Sequence, residues 1–477
     1  MKRLYYGDNL QVLREHISDE FIDLIYLDPP FNSKADYNVL FKNATGQRSE
    51  AQITAFEDTW TWGIESEHFL DQLRDKKGEL YELLDLLVRT LGKNSLSAYL
   101  VMMAIRLLEL HRVLKSTGSL YLHCDPTASH YLKMISDLVF EPINFRNEIV
   151  WKRTASHGGA KRWGPVHDLI LLYTKSKIYT WNQVYQDYDE DYVKDFYRFE
   201  DDKGCYRLVT LTAAGVRKGN SGKPWRGVNP TDVGRHWALP VKAIESLTNT
   251  IYKSLLTQEK LDILNDNNLI YWPVKGQVPQ YKRYLDEAPG TQIQDIISDI
   301  KPVSSQARER LGYPTQKPLA LLERIIQASS NKGDIILDPF CGCGTAIHAA
   351  ENLGRNWIGI DITHLAIALI EKRLKDAFAD KFIQDENKNQ KLVPGIEFEV
   401  EGTPKDLDAA LDLFERDPYQ FQWWACSLVN AQPYKDKKKG ADGGIDGLIF
   451  FEDVVDLKKS NKTAVKKIIV SVKGGKN

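Results

Sequence analysis

Two short stretches of this sequence hold the residue types that chemistry needs. The first is Ile335-Ile-Leu-Asp338-Pro-Phe340-Cys-Gly342-Cys-Gly344-Thr345, set between an apolar run that reads as a strand and a periodic segment that reads as a helix. Glycines at 342 and 344 let the backbone take up positive φ and approach a ligand closely. The turn opens a helix, whose first N–H groups and dipole favour negative charge. The next strand, Trp357-Ile-Gly-Ile360, ends in Asp361, an acid placed to accept ribose hydroxyls. Together these features read as a site for a nucleoside-containing cofactor. The plain alternative is a tight strand-to-helix connection with incidental glycines. The turn has neither the GxGxxG spacing of nicotinamide sites nor the GK[ST] of a P-loop. Cys341 and Cys343 have no companion pair to supply the about four ligands of a zinc site, so they read as small buried turn residues.

The second stretch is Asp28-Pro29-Pro30-Phe31, which follows the apolar run Asp23–Leu27. An exocyclic base amine is a poor nucleophile because its lone pair is delocalised into the ring. The Asp28 carboxylate and the Pro29 carbonyl can each accept a hydrogen bond from such an amine. Both draw its nitrogen toward a tetrahedral, donating geometry, and Phe31 can stack on the base. Positioning against an electrophile then supplies much of the rate. A base held in a duplex must first be flipped out. The plain alternative is a proline-stiffened turn whose acid caps a helix.

The elements that would carry these loops alternate. Residues 1–31 read as strand, helix, strand, and 95–115 as a helix closed by Lys115 and Gly118. Ser119–His123, 145–155 and 168–174 read as strands. Helix–strand punctuation resumes at Tyr313: Leu319–Ser329 as helix, Asp334–Leu337 as strand, Thr345–Leu353 as helix, Asn356–Ile360 as strand and Ile362–Leu374 as helix. This α/β pattern predicts a parallel sheet covered on both faces. Residues 176–305 are richer in Tyr, Trp, Gly and charge, with weak periodicity. His123 and Asp125 sit at a strand end, and His123 reads as structural. Trp151 suits a pocket wall or the core equally.

The order of the motifs resembles the β-class amino-methyltransferases of DNA, in which the motifs are circularly permuted. Gly7-Asp8-Asn9 comes first, then DPPF, Gly118–Asp125, Asn147–Lys152 and His167–Leu171. After the irregular stretch come Tyr313-Pro-Thr-Gln-Lys317-Pro318, DPFCGCGT and GIDIT. The resemblance covers roughly residues 1–375 and implies a Rossmann-like sheet that uses S-adenosylmethionine. It divides the chain into a catalytic part (1–175), a target-recognition region (176–305) and a cofactor-binding part (306–376). By the same resemblance Asp338, Phe340, Gly342, Gly344 and Thr345 line the methionine part of the cofactor. Asp361 holds its ribose, Asp8 lies near its adenine, and Thr315, Gln316 and Lys317 close over its methionine end. Cys343 stands where the family usually has serine. DPPF rather than SPP[YF] favours adenine N6 over cytosine N4 as the accepting amine. The remaining readings are N4-cytosine or RNA methylation, a methylase–endonuclease fusion that cleaves DNA, and a DNA binder without catalysis.

Between Lys203 and Arg235 there are seven basic residues against one acid, Asp232, with Tyr206 and Trp225 interleaved. Basic side chains neutralise phosphates, and arginine reads guanine edges. Arg217, Lys218, Lys223 and Arg226, with Lys152 and Arg153, are therefore the candidate contacts to double-stranded DNA. The plain alternative is a solvated surface.

A polar stretch, 377–401, reads as a linker to a small α/β unit at 402–477. There Gly440-Ala-Asp-Gly-Gly-Ile-Asp446-Gly precedes one apolar strand, and Ile468-Ile-Val-Ser-Val-Lys473 forms another. This resembles part of an Mrr-like restriction-endonuclease core. Asp446 would bind Mg²⁺ and Lys473 would be the nuclease lysine, but Ser471 occupies the place of the usual acid. Mg²⁺ is expected only if that unit is active.

The bulk numbers exclude little. A net charge of -2 does not announce a nucleic-acid binder, so any basic surface is local. Five scattered cysteines fit a reducing cytoplasm rather than a disulfide framework. No apolar run is long enough for a membrane span. A homodimer, or a separate restriction subunit, is the expected partner.

Overall fold

Side chains along the central strands alternate between two destinations. Ile25 and Leu27, Leu120 and Leu122, and Leu169, Leu171 and Tyr173 pack into one core. Leu24 and Tyr26, Tyr121, and Ile170 and Leu172 pack into the other. A strand with both faces apolar must lie inside a sheet covered on both sides. The computed structural model describes residues 1–30, 36–42, 48–57, 61–154, 161, 163–248, 252–274, 278–304, 306–313, 315–378, 397–429, 431–433, 445–454 and 463–474.

The sheet has nine strands: β1 (Lys2–Tyr6), β2 (Ile22–Leu27), β3 (Leu114–Cys124), β4 (Phe145–Lys152), β5 (His167–Thr174), β6 (Ile296–Ile297), β7 (Ile335–Asp338), β8 (Asn356–Asp361) and β9 (Glu399–Glu401). Their spatial order is β6-β4-β5-β3-β2-β7-β8-β1-β9. One face is covered by Asn9–His16, Ile64–Lys76, Gly78–Leu91, Ser95–Val113 and Ser129–Phe140. The other is covered by Leu319–Ser329, Thr345–Asn352 and His364–Phe378. Caps set where the helices begin. Asp8 accepts from Leu10 N and Gln11 N, and Asn94 accepts from Ser97 N.

Two expectations need correcting. The sheet is mixed, because β5 runs antiparallel to both β3 and β4. No helix is described in the connection 153–166, and consecutive strands without a crossover helix pair as a hairpin. The stretch expected as a linker at 377–401 contains β9, which pairs in parallel with β1. The C-terminal helices Leu407–Arg416 and Pro418–Leu428 belong to the same compact unit as the sheet. That unit comprises residues 1–183 and 294–477, and a second comprises 184–293.

The second unit lies within the stretch of weak periodicity. It holds a four-stranded antiparallel sheet and a core that includes Tyr206, Trp225, Trp237, Leu261 and Tyr281. Tyr185–Gln186 near its start pairs antiparallel with Thr291–Gln292 near its end, so the chain enters and leaves it side by side.

Candidate active site

Asp28 and Asp338 are far apart in sequence, yet they leave the sheet from neighbouring parallel strands. Leu24 and Ile25 of β2 lie beside Ile336 and Leu337 of β7. Open α/β sheets bind ligands beyond the carboxyl ends of their strands. A cavity opens there, with about 1120 Å³ of empty space counting its mouth. It brings together Asp8, Asp28, Pro29, Pro30, Thr315, Gln316, Lys317, Asp338, Phe340, Gly342, Thr345 and Asp361. Phe31 lies outside the described residues.

Each carboxylate is held differently. Lys317 Nζ donates to Asp28 Oδ2 at 2.5 Å, and Asp28 Oδ1 carries no bond among the described residues. Asp338 accepts from Phe340 N, and burial pushes its carboxyl well above the usual range. Asp361 Oδ2 accepts from Gly342 N, and Oδ1 accepts from Thr363 N and Oγ1, each at 2.9 Å. Burial outweighs these bonds and pushes Asp361 up to about 6. Asp8 caps the first helix and pairs with Arg106 at 2.6 Å. Arg106 also donates to Asn9, whose amide reaches Pro339 O at 2.8 Å. The cavity wall thus carries four carboxyl groups and two side-chain cations.

Both glycines take up the positive φ expected of them. Gly342 and Gly344 have φ of +49° and +73°. A Cβ on Gly342 would meet the Tyr313 ring at 3.2 Å, and one on Gly344 would meet Ile370 at 2.7 Å. Their missing side chains make room for Tyr313 and Ile370. Gly344 is the N-cap of Thr345–Asn352 and does not line the cavity. Gln316 lines it but spends its amide on the loop, donating to Glu309 O and accepting from Leu311 N. Cys343 is buried beside Arg373, which donates to its carbonyl and to Thr345 Oγ1.

Sequence reasoning missed Arg106, Asn9, Tyr26, Tyr313 and Thr363, all of which line the cavity. Arg106 left a signal, a lone arginine among the buried residues of Ser95–Val113. His123 is fully buried, between Tyr26 Oη at 2.9 Å and Asp168 at 3.2 Å. Trp151 belongs to the core and donates to Ile300 O.

The candidate DNA contacts divide. Lys152, Arg217, Lys218 and Lys223 are exposed. Arg153 and Arg226 are exposed as well, but Arg153 pairs with the buried Asp168 and Arg226 with Asp262 and Asp266. At the C-terminal candidate site, Asp446 accepts from Val472 N and Ser471 Oγ, while Lys473 is exposed. Among the described residues no three His, Cys, Asp or Glu side chains gather to hold a metal. Gly440–Gly444 lie outside the described residues. No helix among those described is long and apolar enough to cross a membrane.

Over 278 residues the chain is 34% identical to the type II methyltransferase M.EcaI of Enterobacter cloacae, covering 58% of this chain and 57% of that protein. Over 364 residues it is 26% identical to the Mod subunit of the type III restriction-modification enzyme StyLTI of Salmonella typhimurium, covering 73% and 49%. The chain thus spans about half the length of these relatives. The solved structure of a DNA modification methylase from Thermus thermophilus, complexed with S-adenosyl-L-methionine, is 15% identical with a TM-score of 0.37, covering 85% of this chain and all of that one. The fold is therefore read from this chain's own sheet, not from that likeness. The family model described as DNA methylase matches residues 22–372, which hold both the Asp28 loop and the Asp338 turn, and the chain belongs to that family.

Proposed function

We propose that this chain transfers a methyl group from S-adenosylmethionine to the exocyclic N6 amine of adenine in double-stranded DNA, in a restriction–modification setting. One observation carries the reading. Asp28 and Pro29 share a cavity with the Asp338–Thr345 turn, across two neighbouring strand ends.

The charge of that cavity fits the cofactor. Asp8 and Asp28 offset Arg106 and Lys317, and Asp361 adds a negative charge that suits the sulfonium and ammonium by which S-adenosylmethionine outweighs its own carboxylate. When bound, it supplies an electrophilic methyl group. The chain's own residues prepare the acceptor. Lys317 fixes Asp28 through Oδ2, which leaves Oδ1 to accept a hydrogen bond from the base amine. The Pro29 carbonyl is the second acceptor. Together they turn the nitrogen lone pair out of the ring. The proton lost from nitrogen after transfer passes to Asp28 and on to water. Asp361 holds ribose hydroxyls with its remaining lone pair. The order of the motifs supports the β class, and the acid at position 28 supports adenine. Lys152, Arg217, Lys218 and Lys223 neutralise DNA phosphates.

Incubation with labelled S-adenosylmethionine and DNA, followed by digestion to nucleosides, tests the reading. Label in N6-methyladenine is expected. Label in N4-methylcytosine overturns the choice of base, and no label overturns the activity.

A further inference from the structure

The C-terminal segment beyond the family match is built against the cofactor cavity. β9 pairs with β1, Leu4 beside Val400 and Tyr5 beside Glu401. The chain then turns at Gly402, whose φ is +83°. A Cβ there would sit 2.1 Å from Tyr6 O, so only glycine lets the segment cross β1 this closely.

The helix Pro418–Leu428 makes two further contacts with the site's loops. Gln420 Oε1 accepts the backbone N–H of His364 at 3.2 Å, three residues after Asp361. The His364 ring stacks on Tyr6, with centroids 3.6 Å apart. Trp423 is buried with Tyr313, Cys343 and Leu365, behind the glycine turn. Gly402, Arg416 and Gln420 also line a second cavity. Its other wall includes Gly7, Asp8 and Thr363, which line the first cavity as well.

We propose that residues 399–428 form the outer wall of the cofactor site, with Gln420 and Trp423 as its positioning residues. This rests on the S-adenosylmethionine reading above. The wall fixes the loops at 6–8 and 361–364 that flank the ribose acid Asp361, and through Tyr313 and Cys343 it fixes the glycine turn. None of these contacts involves Asp28. Its removal therefore weakens cofactor binding and leaves transfer from the filled site intact.

The test titrates S-adenosylmethionine into the full chain by calorimetry, with kcat at saturating cofactor and a thermal melt for each variant. Trp423→Ala is expected to raise Kd about tenfold, or about 1.4 kcal/mol. Gln420→Ala should raise it roughly threefold, a fraction of a typical hydrogen bond. Gln420→Glu keeps an acceptor for His364 and should bind like the parent. All should keep the parent's kcat once saturated. Alanine variants that melt cooperatively yet bind the cofactor like the parent overturn the proposal, as does a loss of kcat at saturation. Should Trp423→Ala fail to fold, the Gln420 pair decides. A parent chain that binds no S-adenosylmethionine overturns the reading of the site itself, and the wall with it. A parent that binds while its alanine variants match it overturns the wall alone.

Discussion

Asp28-Pro-Pro-Phe and Asp338-Pro-Phe are nearly the same words, written at the ends of adjacent strands, and they do opposite things. Asp338 is 3% exposed, turns back to accept its own loop's N–H, and has its carboxyl raised by burial. Asp28 meets Lys317 on one oxygen and leaves the other unbonded among the described residues. The Asp-Pro pair itself does not choose between these roles. Lys317 does, and it arrives from a third segment. The lesson is that a strand-end acid becomes a turn or an acceptor according to the cation set beside it.

That contrast can be broken most severely at Asp28. Asp28→Ala should cut kcat roughly 10³-fold, within the range of a lost acid–base group. Cofactor affinity should hold, as read by methyl-transfer rate against calorimetric Kd. An equal loss in both would erase the distinction between the two acids.

Asp338→Asn should show the reverse pattern. Asparagine resembles the protonated acid, so the melting temperature of the unliganded protein should hold. Affinity for the cationic cofactor should fall about tenfold or more, the scale of a hydrogen bond to a charged group. Titration calorimetry of the variant reads this directly.

A pH series sharpens the electrostatic side. Asp361, raised from 3.8 to about 6 by burial, is neutral below that value and charged above it. Binding of a positive ligand should therefore tighten as pH rises from about 5 to about 7. In the unliganded protein the same group's stabilising contribution is present below 3.8 and lost as pH rises through about 6. Asp361→Asn should flatten both trends, measured as Kd and as denaturant midpoint against pH.

The smallest effect lies away from both loops. Replacing Arg217 and Lys218 together by alanine should raise KM for DNA and lower the slope of its log–log salt dependence by about two. Cofactor Kd should not change. An unaltered slope would remove these residues from the DNA surface.

The strand and helix order of the sheet was legible because its strands are apolar runs bounded by Gly, Pro and Asp. The turn at Asp338–Thr345 was legible for the same reason. What stayed hidden depended on distant partners. Nothing local says that Arg153 pairs with Asp168, or that Arg226 pairs with Asp262. The C-terminal segment has a polar approach that resembles a linker, while its docking rests on pairing with β1 and on contacts at Gly402, Gln420 and Trp423. The unit at 184–293 uses strands of two to seven residues and aromatic packing, and neither leaves a period to read.

The position of β1 carries a consequence for synthesis. Lys2–Tyr6 is hydrogen-bonded on both edges, to Asn356–Asp361 and to Glu399–Glu401. Ribosomes add about 5–20 residues per second, so its first neighbour emerges roughly 20–70 s after it. For that interval a five-residue strand waits with both edges bare. The nascent chain carries an open template for unwanted pairing until nearly the whole methylase region has left the ribosome, and a chaperone that shelters β1 would act on yield without touching catalysis.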